Sequence, residues 1–411
     1  MAREARRPRL DETLRVSGLL FTIAWGTNHF APLLLVYRAR LGLSPVDLAA
    51  LFAIYAIGLV PGLLAGGPLS DRRGRRAVVL PAAFLALGGT ALLAAGAAGF
   101  GFLMAGRLIV GIGSGGVFSA GTAWLQDLSA SHPGGTGARR TTVALSCGFG
   151  GGPLVAGLVA QWCPGPMLVP YLLQATALSV AIALAWSAPA VARRPNPEPT
   201  SADRGPSLGF PPRFLREVGL VAPWVFAFPS IAFVVLPALV RAHVAGFSVA
   251  YAGLVAAVTL GSGILIQPVL RLRQPRHAAV AGLLLGTVGL LIGWLATSRG
   301  SPVVVVLAAV LLGGGYGACL IAGLRSVETT TPAASRGRVT AVFYVLTYLG
   351  FAAPLLMATV ARRTSDGTPL LLTAASAVVT ALGTGLQRWR SDRRGLASAR
   401  SPGPEVTTTT S

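Results

Sequence analysis

One apolar stretch of the chain carries Thr22, Trp25 and His29 at spacings of three and four residues, with Asn28 beside them. On a helix this spacing puts the first three on one face. Histidine changes charge near neutral pH, so His29 reads either as a proton-handling group or as a neutral imidazole held in a polar patch. Arg107 lies inside another apolar stretch. A guanidinium in a hydrocarbon setting costs several kcal/mol unless it reaches water, a carbonyl or a partner. It is therefore expected to face an internal cavity, the other option being to snorkel outward. No carboxylate sits deep in any apolar run. All 13 acidic residues fall in polar connections, tails or run ends, among them Asp47 and Glu217.

Aromatic side chains supply the second kind of chemistry. Tyr55, Trp224 with Phe228, Tyr316, and Tyr344 with Thr347 and Tyr348 sit in apolar runs, as does Ser114. A cavity lined by them would accept a moderately apolar or amphipathic organic solute. The three cysteines, Cys147, Cys163 and Cys319, are isolated. They have neither metal-ligand spacing nor a disulfide framework, and no cofactor is expected.

The elements that must position these residues are long and apolar. Hydrophobic residues make up 53% of the 411, charged residues 11%, and mean hydropathy is +0.67. Such a composition is that of a polytopic membrane protein. Twelve stretches are long enough to cross a bilayer: 16–37, 46–69, 77–99, 101–125, 141–163, 168–188, 217–240, 248–270, 278–298, 302–324, 339–361 and 368–387. The net charge of +21 comes from arginine alone. With the N-terminus inside, 27 of the 34 arginines fall on the inner side and six on the outer, with Arg107 within a span. This bias assigns both termini to the cytoplasm and leaves nucleic-acid binding little support; the membrane crossed is expected to be the cell's plasma (inner) membrane. The charged start and long first span do not form a cleavable leader, so the first span is expected to direct insertion.

Between the second and third spans runs Gly67-Pro68-Leu69-Ser70-Asp71-Arg72-Arg73-Gly74-Arg75-Arg76. It resembles the loop signature of the major facilitator superfamily, G-x-x-x-D-R/K-x-G-R-R/K, at every fixed position. Arg107 to Gly116 resembles the family's R-x-x-x-G-x-G pattern. Gly148 to Gly157, with Gly152 and Pro153, resembles the G-x-x-x-G-P-x-x-G-G motif associated with its antiporters, with Ala156 in place of one glycine. Small residues at such spacing let helices approach closely. Weak self-similarity at about 200 residues agrees with two repeated halves, although the second copy lacks the Asp and glycines of the loop.

The resemblance implies an all-α membrane protein of twelve helices in two pseudo-symmetric halves. The expected layout is a cytoplasmic N-terminus (1–15), a first half (16–188), a Pro-rich cytoplasmic linker (189–216), a second half (217–387) and a disordered tail (388–411). The expected activity is secondary active transport, proton-coupled efflux of a small organic compound by alternating access. The alternative is import or uniport of a nutrient. Gly67, Asp71, Arg72, Gly74, Arg75, Arg76, Asp127, Gly148, Gly152, Pro153 and Gly157 would serve gating. Asp71 is expected to pair with Arg75 or Arg76 or to lie near 336–339, Asp127 to accept an arginine from the same loop, and Gly152 and Pro153 to meet the other half. Thr22, Trp25, Asn28, His29, Tyr55, Arg107, Ser114, Trp224, Tyr316, Tyr344 and Tyr348 would serve coupling or the substrate path. Partners would be the solute, protons and lipid, around a monomer. An enzyme would cluster His, Asp or Cys at one face, and no such constellation is present.

Overall fold

A computed structural model describes residues 10–130, 132, 135–190, 218–331, 333–365 and 367–400. Residues 1–9, and the linker from 191 to 217, lie outside the described residues. So do residues 401–411 and the side chains at 332–338, where the second expected neighbour of Asp71 falls. Every regular element described is helical. In the first half these are α1 (Leu10–Asn28), α2 (Phe30–Leu41), α3 (Pro45–Arg73), α4 (Arg75–Ala94), α5 (Phe100–Leu128), α6 (Thr136–Trp162) and α7 (Val169–Trp186). The second half holds α8 (Trp224–Ser230), α9 (Leu236–Leu239), α10 (Ser248–Arg271), α11 (Pro275–Ser298), α12 (Pro302–Thr330), α13 (Ala333–Tyr348), α14 (Ala353–Ala361) and α15 (Thr368–Arg400).

Among the described residues, eleven segments are long and apolar enough to cross a bilayer, α1 with α2 and α13 with α14 each counting as one. The stretch expected at 217–240 is shorter and broken. Its apolar helix covers Trp224–Leu239, with a π-helical turn at Ile231–Val235 between α8 and α9. Proline explains the break. Pro229 and Pro237 donate no backbone hydrogen bond and crowd the preceding turn, and a wider turn relieves that crowding.

Two other spans are interrupted. Pro32 cannot donate to the carbonyl of Asn28, and the first span breaks into α1 and α2 at His29. Pro354 likewise has no N–H to offer the Gly350 carbonyl, which accepts instead from the Ala353 amide at the end of the 3-10 turn Leu349–Ala352. The Ser230 hydroxyl donates to that carbonyl at 3.3 Å, linking α8 to this turn. The tail differs from expectation as well. α15 runs on to Arg400, because Arg, Leu and Ala favour helix there and outweigh Gly395, and no proline interrupts it before Pro402.

Candidate functional site

Glycines set the spacing of the first half. A Cβ on Gly58 would lie 2.1 Å from the Leu108 carbonyl, and one on Gly111 would lie 2.3 Å from that of Tyr55. α3 and α5 therefore touch backbone to backbone, which brings Arg107 within reach of α3 and the break of the first span. Arg107 is 1% exposed. Its Nε donates to the Leu51 carbonyl and its Nη1 to the Thr27 carbonyl, each at 3.2 Å. The guanidinium lies 4.3 Å from the Phe30 ring centroid and 4.5 Å from that of Tyr55. Carbonyl dipoles and ring faces thus take the place of a carboxylate. The Thr27 hydroxyl and the Tyr55 phenol are 3.1 Å apart, and Ser114 is buried beside Tyr55.

His29 sits in the break itself, 2% exposed, with its ring 4.7 Å from the Tyr171 ring of α7. Neither of its nitrogens has a hydrogen-bond partner among the described residues. The hydroxyls of Tyr171 and Tyr37 are hydrogen-bonded to each other. Gln174 donates to the Thr22 carbonyl at 3.3 Å and leaves its own amide oxygen unpaired. Thr22 turns its hydroxyl back to the Leu19 carbonyl, and Asn28 is buried. The break divides the expected face. His29 turns to α7, whereas Trp25 packs against Gly148 and Gly152 of α6.

A second cluster lies where the halves meet. Phe226 of α8 stacks on Tyr348 at 4.7 Å, on Phe351 at 5.0 Å and on Tyr316 at 6.1 Å. Phe52 and Tyr55, from the first half, reach Phe351 at 4.9 and 6.4 Å. Tyr344 is half-buried one turn before Tyr348. Trp224 does not join this cluster. Its indole donates to Thr380 of α15 and its ring lies tilted against that of Phe228, which fills the space over Gly286. Phe226 and Phe351 escaped the sequence reading. Phe226 lies on the helix face opposite Trp224 and Phe228, so only an asymmetry between those faces could have signalled it.

At the arginine-rich end, α3 stops at Gly74, whose φ of 93° favours a residue without a side chain. Arg75 pairs with Asp71 at 2.5 Å and Asp127 at 3.2 Å, and donates to the Ser70 hydroxyl at 2.7 Å. This network ties α3, α4 and α5 together inside the first half. Arg72 is exposed, and Gly67 packs near Ser119. At the opposite end the halves are joined. A Cβ on Gly253 of α10 would lie 2.5 Å from the Pro153 carbonyl, and one on Gly157 would lie 2.8 Å from that of Val249. Gln161 donates to the Gly246 carbonyl at 2.8 Å and accepts from the amides of Val249 and Ala250. Pro153 and Gly157 therefore touch the other half, while Gly148 and Gly152 grip α1. Gly152 thus departs from its expected contact, because its face of α6 is turned to Trp25.

A family model described as Major Facilitator Superfamily matches residues 16–354. The chain belongs to that superfamily. Within it, 142 residues are 30% identical to the quinolone resistance protein NorA of Staphylococcus aureus. That match covers 34% of this chain and about a third of the relative, 36% of its length. Among solved structures, the nucleoside transporter NupG aligns with a TM-score of 0.72 at 14% identity, covering 92% of this chain and 98% of that one. The D-xylose-proton symporter aligns with a TM-score of 0.70 at 17% identity, covering 91% and 96%. These likenesses share the superfamily fold, and the eleven membrane-length apolar segments among the described residues agree with a multi-pass membrane protein of that family.

Proposed function

We propose that this superfamily member exports a small, amphipathic organic compound in exchange for protons, with its arginine-rich face and both termini in the cytoplasm. The carrying observation is the Phe226, Tyr348 and Phe351 stack, met by Phe52 and Tyr55 from the other half. Such an aromatic surface between two halves offers a solute flat apolar contact that changes when the halves rock. The partial likeness to a quinolone resistance protein supports the outward direction. Import remains the rival reading, since a proton symporter shares the fold.

His29 is the proposed proton-coupling residue. Its two unpartnered nitrogens lie at a helix break between α1 and α2, where a change of charge would be felt by both segments. Arg75, Asp71 and Asp127 form the proposed inner gate, Pro153 and Gly157 the outer seam. The solute, protons and lipid are the proposed partners of a monomer. The test is uptake of a panel of aromatic and amphipathic compounds into everted vesicles with an acid interior. Gradient-dependent accumulation of at least one compound is expected, and it should collapse on adding a protonophore. Transport only in right-side-out vesicles would overturn the export reading.

A further inference from the structure

A cavity of about 420 Å³ opens at the arginine-rich end, between the start of α4 and the end of α7. Arg73, Arg75 and Arg76 line one part of it, and Leu80, Phe84 and Trp186 line the other. Arg76 lies 5.8 Å from the Trp186 ring centroid, and the Phe84 and Trp186 rings meet edge to face at 6.2 Å. Both ion pairs described at this end belong to Arg75. Arg73 and Arg76 have no carboxylate within ion-pair distance among the described residues. The first amides of α4 add to this positive field, because Gly74 brings no capping side chain.

Charge and apolar surface are layered. Phe84 stands eight residues beyond Arg76, about 12 Å further along the helix. Phe84 is 48% and Trp186 54% exposed, surfaces that suit acyl chains and not water. A soluble anion would use only the arginine end of this cavity.

We infer that this cavity is a binding site for an anionic phospholipid of the arginine-side leaflet, its phosphate held by Arg73 and Arg76 and one acyl chain lying along Phe84 and Trp186. The inference rests on the proposed orientation only for the leaflet it names. Arg75 borders the same cavity and also holds Asp71 and Asp127, so the lipid phosphate would stand beside the inner gate.

The test places the full-length protein in nanodiscs, whose two leaflets are alike, so a wrong orientation and a wrong site give different failures. Quenching of Trp186 is read as the difference between wild type and Trp186→Phe, using brominated phosphatidylglycerol or brominated phosphatidylcholine in the unbrominated background lipid. Wild type should favour the glycerol lipid. Arg73→Gln/Arg76→Gln should lose about 30-fold of that preference, and Arg76→Gln alone about fivefold, should the double variant fail to fold. Arg139→Gln/Arg140→Gln, an equal loss of charge at the same end of the molecule, should retain it. Equal quenching by both lipids, or an equal loss in the Arg139/Arg140 variant, would overturn the site. Loss of the preference in millimolar inorganic phosphate would identify a soluble-anion site instead and equally overturn the lipid assignment.

Discussion

Arg107 is a buried cation whose partners are two carbonyls and two ring faces. A buried charge without a counter-charge costs folding free energy, and an apolar side chain of similar volume often fits better. Arg107→Met should therefore raise the thermal stability of the purified protein, by about 1–3 kcal/mol, while transport falls at least tenfold. Lower stability with transport intact would show that Arg107 serves packing alone. His29→Gln keeps hydrogen-bonding capacity but cannot titrate. It should abolish accumulation against a gradient while leaving downhill exchange, whereas wild-type accumulation would place coupling elsewhere. Phe226→Ala should raise the KM of an aromatic solute roughly tenfold, the loss of one stacked ring being worth about 0.5–1.5 kcal/mol beyond its buried area. An unchanged KM would remove Phe226 from the path. Arg107 could be recognised from its type and surroundings alone. Its partners could not, because they depend on how closely Gly58 and Gly111 let two distant helices approach. Trp224 was as easily recognised by type, but its hydrogen bond to Thr380 on a neighbouring helix was not legible.

Helices respond to single glycines according to what faces them. Gly152 faces the Trp25 backbone within the first half, so Gly152→Ala should destabilise that half by about 1–3 kcal/mol through overpacking. Gly253 faces the Pro153 carbonyl across the halves. Gly253→Ala should instead prise the seam apart, lengthening the distance between spin labels on Trp162→Cys and Phe247→Cys in a larger fraction of molecules, with Cys147, Cys163 and Cys319 replaced by Ser throughout. An unchanged distance distribution would mean that the seam does not govern closure at this end. Span positions were legible because hydropathy over about 20 residues is set by the bilayer. The interruptions at His29, Ile231 and Leu349 were not, because a proline bends, widens or leaves intact its helix according to the neighbours that take the freed carbonyl. α6 stays continuous through Pro153, while the Gly350 carbonyl that Pro354 cannot reach accepts from the Ala353 amide and the Ser230 hydroxyl.

Across the whole molecule, the described contacts join the halves at the Gln161 end and along the Phe52, Tyr55 and Phe351 rings, while the Arg75 network stays within one half. Under the proposed alternating access, this arrangement corresponds to a state shut on the side opposite the arginines, and the other state would require that seam to break. The two-half architecture was readable from the loop signature and the weak repeat, since both are properties of short segments. Direction of transport was not, because the same scaffold moves solutes either way according to where protons and solute bind. The most direct measurement is therefore proton-driven flux in everted vesicles for one aromatic solute, with Phe226→Ala and His29→Gln alongside wild type. The account predicts accumulation by wild type, a weakened solute affinity in Phe226→Ala, and downhill exchange without accumulation in His29→Gln. Accumulation by wild type and both variants with equal KM would contradict it.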